Sequence, residues 1–351
     1  MRLLLIDPAS FTPQYDHELA SALVRAGAEV ELLTSRFRFG ESPAPDGYTR
    51  SEIFYPVAHR LFGRSRARIP MKAAEHPVGL IRIRSRPGQI VHHQWLAAPE
   101  IDNRVLRMAR PSVFTAHDLL PRRTATKRDL WSKLLGRFSR VVVHSEHGRE
   151  TLTQLGVEPE RLRVIPHPVF TSDPPRTDDG ATVLALGVIR PYKGLADTVQ
   201  ALGQVNDARL LVVGDPLESV AAYQQAAGSS AEWRLGYASE AEIDRALGEA
   251  TVAVFPYRPE IDQSGALLRA LGAGVPVVAY DVGGIAEPVR RFDAGRVVEA
   301  GNVEALAEAI RELLSDREAL ERAREGARRA RETLTWDAAA SAHIELYEEL
   351  L

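Results

Sequence analysis

The chain has 351 residues, 45% hydrophobic and 26% charged, which suits two soluble globular domains of roughly 100–200 residues each. Cysteine is absent, which excludes disulfide scaffolds, zinc ribbons, iron–sulfur clusters and thiol nucleophiles. The net charge of −3 hides an asymmetry: residues 1–170 hold 26 Lys and Arg against 17 Asp and Glu, and the remainder holds 18 against 30. A basic amino half and an acidic carboxyl half read as two bodies with different partners.

Residues 3–6 form a short apolar run ended by Asp7 and Pro8, too brief for a secretory signal. No stretch approaches the ~18 apolar residues of a spanning helix, so the chain reads as cytoplasmic. Strand 3–6 leads into helical spacing over 17–25, and residues 29–34 resume as a strand. The rhythm returns with strands at 89–92, 112–116, 140–143 and 163–165. The carboxyl half repeats it at 181–186, 208–213, 250–255, 276–280 and 295–298. Alternating strands and helices imply parallel sheets covered on both faces. The expectation is α/β: two Rossmann-like, doubly wound domains at 1–170 and 181–334, joined by a linker at 171–180. Helices follow at 303–315 and 318–333, then a last amphipathic helix at 337–351 with Ala340, Ile344, Tyr347 and Leu351 on its apolar face.

In open α/β sheets, ligands bind beyond the carboxyl ends of the strands. Four such ends in the carboxyl half draw notice. Gly187-Val188-Ile189-Arg190-Pro191-Tyr192-Lys193-Gly194 places two cations before a helix start, which makes an anion site; on spacing alone, a turn with two solvated cations is the plainer reading. Lys193 is one of only four lysines beside forty arginines. The loop Pro256–Gly265 carries Glu260, Gln263, Ser264 and Gly265; Ser264 is a helix N-cap whose following N–H groups are open donors. Gly283-Gly284 and Glu287 form a tight turn with an acidic first helical turn, and Val213-Gly214-Asp215 is the weakest of the four.

Together these stretches resemble the retaining, metal-independent glycosyltransferases of the GT-B fold, family 4. The resemblance spans the chain and is strongest from Ala181 to Leu351. It rests on Gly187…Lys193-Gly194, Gly236-Tyr237…Phe255-Pro256, Gln263-Ser264-Gly265…Gly272-Ala273-Gly274-Val275-Pro276-Val277-Val278, Gly283-Gly284…Glu287 and Thr335-Trp336-Asp337…Tyr347.

The resemblance implies that two Rossmann-like domains face across a cleft and that residues 335–351 cross back to the first domain. The carboxyl half then binds a nucleotide-diphosphate sugar, and the amino half presents an acceptor hydroxyl. Gly187, Arg190, Lys193, Gln263, Ser264, Gly265, Tyr237 and Glu287 are the implied donor-binding residues. His117, Arg190, Lys193 and Glu260 are the implied catalytic ones, and Thr12, Gln14, Tyr15, His92 and His93 the candidates for the acceptor side. His117 read alone is a packed histidine held by Asp118, and Tyr237 an ordinary loop tyrosine. No Asp-x-Asp pair occurs, so no metal and no cofactor beyond the donor substrate are expected. The position of the family's helix glutamate is Arg269, and the loop 8–15 lacks the glycines that many members carry. The competing reading is a non-catalytic or epimerase-like GT-B protein that binds a nucleotide sugar.

Residues 60–86 carry Arg60, Arg64, Arg66, Arg68, Lys72, Arg82, Arg84 and Arg86 against Glu75. This cluster fits either a solvated face or the anionic inner surface of a membrane, where a lipid-linked acceptor would lie. A second basic stretch holds Leu130, Trp131, Leu134, Leu135 and Phe138 in one helical stripe, expected to pack on its own sheet. Nucleic acid is not an expected partner, since no recognised binding motif appears and the carboxyl half is acidic.

Overall fold

The central strands are nearly all apolar, so they are buried on both faces and pair in parallel. Leu3, Leu4, Leu5 and Ile6 are fully buried, as are Val141, Val142 and Val143, and the carboxyl half repeats this at Val277, Val278, Ala279 and Tyr280. The computed structural model describes residues 1–38, 40–61, 68–121, 123–259 and 261–351. The chain divides into two compact units: Met1–His167 with Trp336–Leu351, and Pro168–Thr335.

The first unit holds β1 (Arg2–Asp7), β2 (Glu29–Thr34), β3 (Thr49–Glu52), β4 (Ile90–His93), β5 (Ser112–Thr115), β6 (Arg140–Val143) and β7 (Leu162–Val164). Their order is β3-β2-β1-β4-β5-β6-β7, with every neighbouring pair parallel. The second unit holds β8 (Thr182–Leu186), β9 (Arg209–Gly214), β10 (Ala231–Leu235), β11 (Val252–Phe255), β12 (Val277–Tyr280) and β13 (Gly295–Val298). It repeats the pattern as β10-β9-β8-β11-β12-β13, again all parallel. Each sheet grows outward in both directions from its first strand, so each has one switch point, β1/β4 or β8/β11, the position at which open α/β sheets take their ligands.

Two edge strands were not expected. β3 reads Thr-Arg-Ser-Glu, with no apolar residue, and β10 is half exposed; edge pairing is set by the neighbouring backbone, so neither needs a hydrophobic run. The segment 171–180, expected as a linker, lies against the second unit. Arg176 donates to the carbonyls of Leu247 and Ala250 at 2.9 and 2.8 Å, and the Thr177 N–H donates to Gly248 O at 3.0 Å.

The last helix, Trp336–Glu348, packs on helix Pro13–Arg25 of the first unit, where Arg25 bonds Asp337 at 2.7 Å. Its buried face is Trp336, Ala339, Ala340, His343, Leu346 and Tyr347. The expected face is corrected here: Ile344 is half-buried and Leu351 is exposed beyond the helix end. Trp131, Leu134, Leu135 and Phe138 are buried in the first unit's core, so that amphipathic helix does pack on its own sheet. Among the described residues, no helix is long and apolar enough to cross a membrane.

Candidate functional site

In the second unit, the switch point gathers what the sequence kept apart. β8 runs into Gly187, whose φ is 111° and where a Cβ would stand 3.5 Å from Ala266 Cβ. The strand end and the first turn of helix Gly265–Gly272 therefore touch. The next loop returns through Gly194, φ 69°, at the start of helix Leu195–Leu202; a Cβ there would lie 1.9 Å from Pro256 O, so only glycine fits.

A polar chain links the two loops. Lys193 Nζ donates to Tyr257 Oη at 2.5 Å and lies 3.9 Å from that ring's centre. Tyr257 Oη is 3.0 Å from Ser264 Oγ, which caps its helix by accepting the Leu267 N–H at 3.3 Å. Burial pushes the Tyr257 phenol well above its ordinary range, so it stays protonated and can donate to Ser264. Gly187, Lys193 and Tyr257 line an open pocket with Thr198 and Val254. Arg190 is exposed and carries no ion pair among the described residues.

Gln263 and the Gly283-Gly284 turn meet through Asp262. This buried carboxylate accepts the Gly284 N–H at 2.8 Å and Gln263 Nε2 at 3.2 Å. Glu287 sits half-buried in the first turn of helix Ala286–Phe292. Tyr237 is 61% exposed, just past the end of β10, and is not drawn into this network. Glu260 lies outside the described residues. Arg269 turns to Glu240, bonding both carboxylate oxygens at 2.6 and 3.0 Å, and covers the Phe170 ring at 4.9 Å.

Sequence reading missed Tyr257, Asp262 and Asp197. Asp197, in the first turn of helix Leu195–Leu202, accepts from Arg258 at 3.0 Å and from Tyr280 Oη at 2.9 Å, tying three strand ends together. None of the three stands out by type or spacing among its neighbours. Only their burial marks them.

In the first unit, β1 ends in Asp7, fully buried, whose carboxylate accepts N–H groups of Ala9 (3.2 Å), Phe11 (2.6 Å) and Thr12 (3.2 Å). The buried Asp16 carboxyl is hydrogen-bonded to it, and burial beside a second carboxyl raises Asp16 well above the usual range, so Asp16 holds the proton. Thr12 Oγ1 accepts from Trp95 Nε1 at 2.8 Å, and Gln14 bonds Glu18 at 3.3 Å. His117 is half-buried; its Nε2 is 3.0 Å from Gln94 Oε1, and its ring stacks on Trp95 at 5.1 Å and meets Tyr15 at 4.6 Å. Burial, then the nearby His144 and His167, hold it well below the usual histidine range, so it is neutral at pH 7.

Three acceptor-side candidates turn out to be core groups. Tyr15 is buried among His117, His167 and Trp336. His92 bonds Tyr347 Oη at 2.6 Å and Thr115 Oγ1 at 2.7 Å, and His93 is buried against Phe138. Both histidines sit on β4, a central strand covered on each face, so neither ring reaches an open surface.

Two doubly wound parallel sheets, one with Lys193 and Arg190 at its switch point, define a two-domain α/β protein. The family described as glycosyl transferases group 1 matches residues 180–316, and glycosyltransferase family 4 matches residues 14–173. The chain belongs to these family 4, group 1 glycosyltransferases and is a glycosyltransferase of the GT-B fold class. It is 24% identical to a D-inositol 3-phosphate glycosyltransferase of Rhodococcus opacus, over 95% of this chain and 84% of that one. Among solved structures, sucrose-phosphate synthase of Thermosynechococcus elongatus superposes with a TM-score of 0.78 at 20% identity, covering 100% of this chain and 99% of that one. Anabaena HepE in complex with UDP-glucose gives 0.73 at 17% identity, with full coverage of both chains.

Proposed function

We propose that the second unit binds a nucleotide-diphosphate sugar and that the enzyme transfers the sugar, with retention and without a metal, to an acceptor hydroxyl presented by the first unit. The observation that carries this reading is the Lys193–Tyr257–Ser264 chain beside the exposed Arg190 at the β8/β11 switch point. When the sugar–oxygen bond breaks, charge gathers on the departing β-phosphate. Arg190, Lys193 and the N–H groups opening helix Gly265–Gly272 supply the fixed positive field there. With its acceptor capacity used by Tyr257 and Leu267, the Ser264 hydroxyl is left to donate to that phosphate. The acceptor oxygen bonds the sugar carbon on the face the phosphate leaves, and its proton passes to a leaving phosphate oxygen. Neutral His117 and its Gln94 partner fit a role beside the sugar, as do Gln263 through Asp262 and Glu287; Tyr237 fits contact with the base, and Glu260 the sugar hydroxyls. The named activity of the Rhodococcus relative and the UDP-glucose in the HepE complex support a nucleotide-sugar donor and a polyol acceptor.

Lys193→Ala tests the reading. A panel of UDP, GDP and their sugars should include a ligand that stabilises the wild type, by ~2.7 kcal/mol at a hundred times its dissociation constant. The variant should lose that stabilisation, and about 10- to 150-fold in turnover, while its circular dichroism is unchanged. Equal stabilisation of both proteins removes Lys193 from the site. Activity that survives excess EDTA supports metal independence, and loss restored by magnesium overturns it.

A peripheral membrane role, with a lipid-linked acceptor, is favoured by one surface. Helix Arg68–Arg84 leaves Val78 and Ile81 exposed beside Arg82 and Arg84, and Arg60, in the preceding helix Pro56–Leu61, is exposed too. Arg64 and Arg66 lie outside the described residues. Apolar side chains among cations suit an anionic bilayer, at roughly 1 kcal/mol per cation. The protein should sediment with phosphatidylglycerol vesicles at low salt and release as the Debye length shortens to about 4 Å. Remaining in the supernatant at low salt overturns it.

A further inference from the structure

The β1 end of the first unit combines a fixed loop with an exposed aromatic ring. Asp7 spends both carboxylate oxygens on the N–H groups of Ala9, Phe11 and Thr12, and its carbonyl accepts the Ser10 N–H at 3.3 Å. Ser10 is held at φ 52°, a conformation that a serine keeps only when its surroundings impose it. The loop is therefore rigid, and its backbone donors already face a carboxylate. A phosphate arriving here would meet donors in use and a negative charge behind them.

What the loop presents instead is Phe11, 56% exposed, meeting Trp95 edge-on at 5.1 Å. Trp95 in turn stacks on His117 and is pinned through its indole N–H to Thr12. The His117 imidazole, held neutral, adds no charge to the shelf. An isolated phenylalanine exposed on a loop is unremarkable; one clamped by three hydrogen bonds, backed by an indole and an imidazole, beyond a switch point, is a preformed stacking surface.

We propose that this Phe11–Trp95–His117 shelf is a binding subsite for an uncharged ring of the acceptor, a pyranose or a cyclitol, laid with its C–H face on Phe11. The inference rests on the reading that the first unit takes the acceptor. It adds that this loop reads ring shape and excludes phosphate.

The test uses the full chain with methyl α-glucopyranoside and myo-inositol as probes in saturation-transfer NMR. Ring C–H protons of at least one probe should receive saturation, about 5- to 10-fold weaker in Phe11→Ala and restored in Phe11→Trp. Inorganic phosphate at constant ionic strength should not compete. The proposal is overturned if neither probe shows transfer that depends on residue 11, or if phosphate displaces the probe. Nucleotide stabilisation, read on the same samples, fails independently if the donor reading is wrong. It should be unchanged in both variants, since Phe11 belongs to the first unit.

Discussion

All ten histidines of the chain lie in the first unit and none in the second, whereas the second unit's single lysine is Lys193. The two sheets share a winding order, yet their strand ends are furnished by opposite chemistry. In the first unit, the ends of β4, β5, β6 and β7 run into His92 and His93, His117, His144 and His167, a run of imidazoles. In the second, they run into Gly187, Lys193, Ser264 and an exposed Arg190, a floor of cations and donors. One fold used twice thus carries two chemically different sets of strand ends, because the backbone supplies the frame and the side chains decide its character.

Acid should separate the two units most sharply. Burial holds His93 down to about 3 and His343 to about 4, with His92 and His117 also well below the usual value. A base depressed in the folded state is fully compatible with the fold above pH 6.5. As pH falls below that, the unfolded chain takes protons that the folded one refuses, and stability drops. At pH 5 His93 and His343 cost about 2 kcal/mol each, about 4 together, and His92 and His117 add to the loss in the same direction. Asp7, Asp16 and Asp102 work the other way, their raised carboxyls being easier to keep protonated as pH falls, but they stand against five depressed histidines, His59 being the fifth. Hydrogen exchange at pH 7 and 5 should show amides of the first unit losing protection ahead of the second. Simultaneous loss would break the contrast.

Gly194→Ala should act in the opposite unit. With the new Cβ 1.9 Å from Pro256 O at a positive φ, the loop must move, at a cost of ~3 kcal/mol. Urea melts should show the second unit unfolding early and nucleotide stabilisation lost. Normal nucleotide binding would show that the loop tolerates displacement.

Smaller and paired are Tyr257→Phe and Tyr347→Phe. The first removes the hydroxyl between Lys193 and Ser264, the second the partner of His92 Nδ1. Each should cost about 1–2 kcal/mol, each in its own unit. Only Tyr257→Phe should weaken nucleotide binding; an equal effect from Tyr347→Phe would blur the division of labour. The smallest change is expected for Arg269→Gln, below about 1 kcal/mol in thermal unfolding, because Glu240 is largely exposed. A larger loss would assign the pair a binding role.

The fold class and family were legible because buried parallel strands write themselves as apolar runs, and because Gly187, Lys193 and the Gly274–Val278 stretch recur at fixed steps. β3 and β10 were not, since an edge strand borrows its register from a neighbour. The last helix was placed correctly but rotated, since His343 looked polar and turned out to be fully buried, its Nδ1 bonded to Ala339 O. The distinction between His92 as a surface group and as a core group was equally invisible, because it depends on what covers β4. Asp7 is the reverse case. It looked like a strand stop, and only its three N–H partners reveal a clamp.

The helix Trp336–Glu348 has a consequence for synthesis on the ribosome. Tyr347 and Trp336 complete the covering of His92 and Tyr15, yet they are made only after all of Pro168–Thr335. Vectorial synthesis therefore finishes the second unit first, even though it begins with the first. Until the final turns emerge, the nascent amino-terminal sheet has an uncovered apolar and imidazole face, which is the kind of surface that holding chaperones recognise.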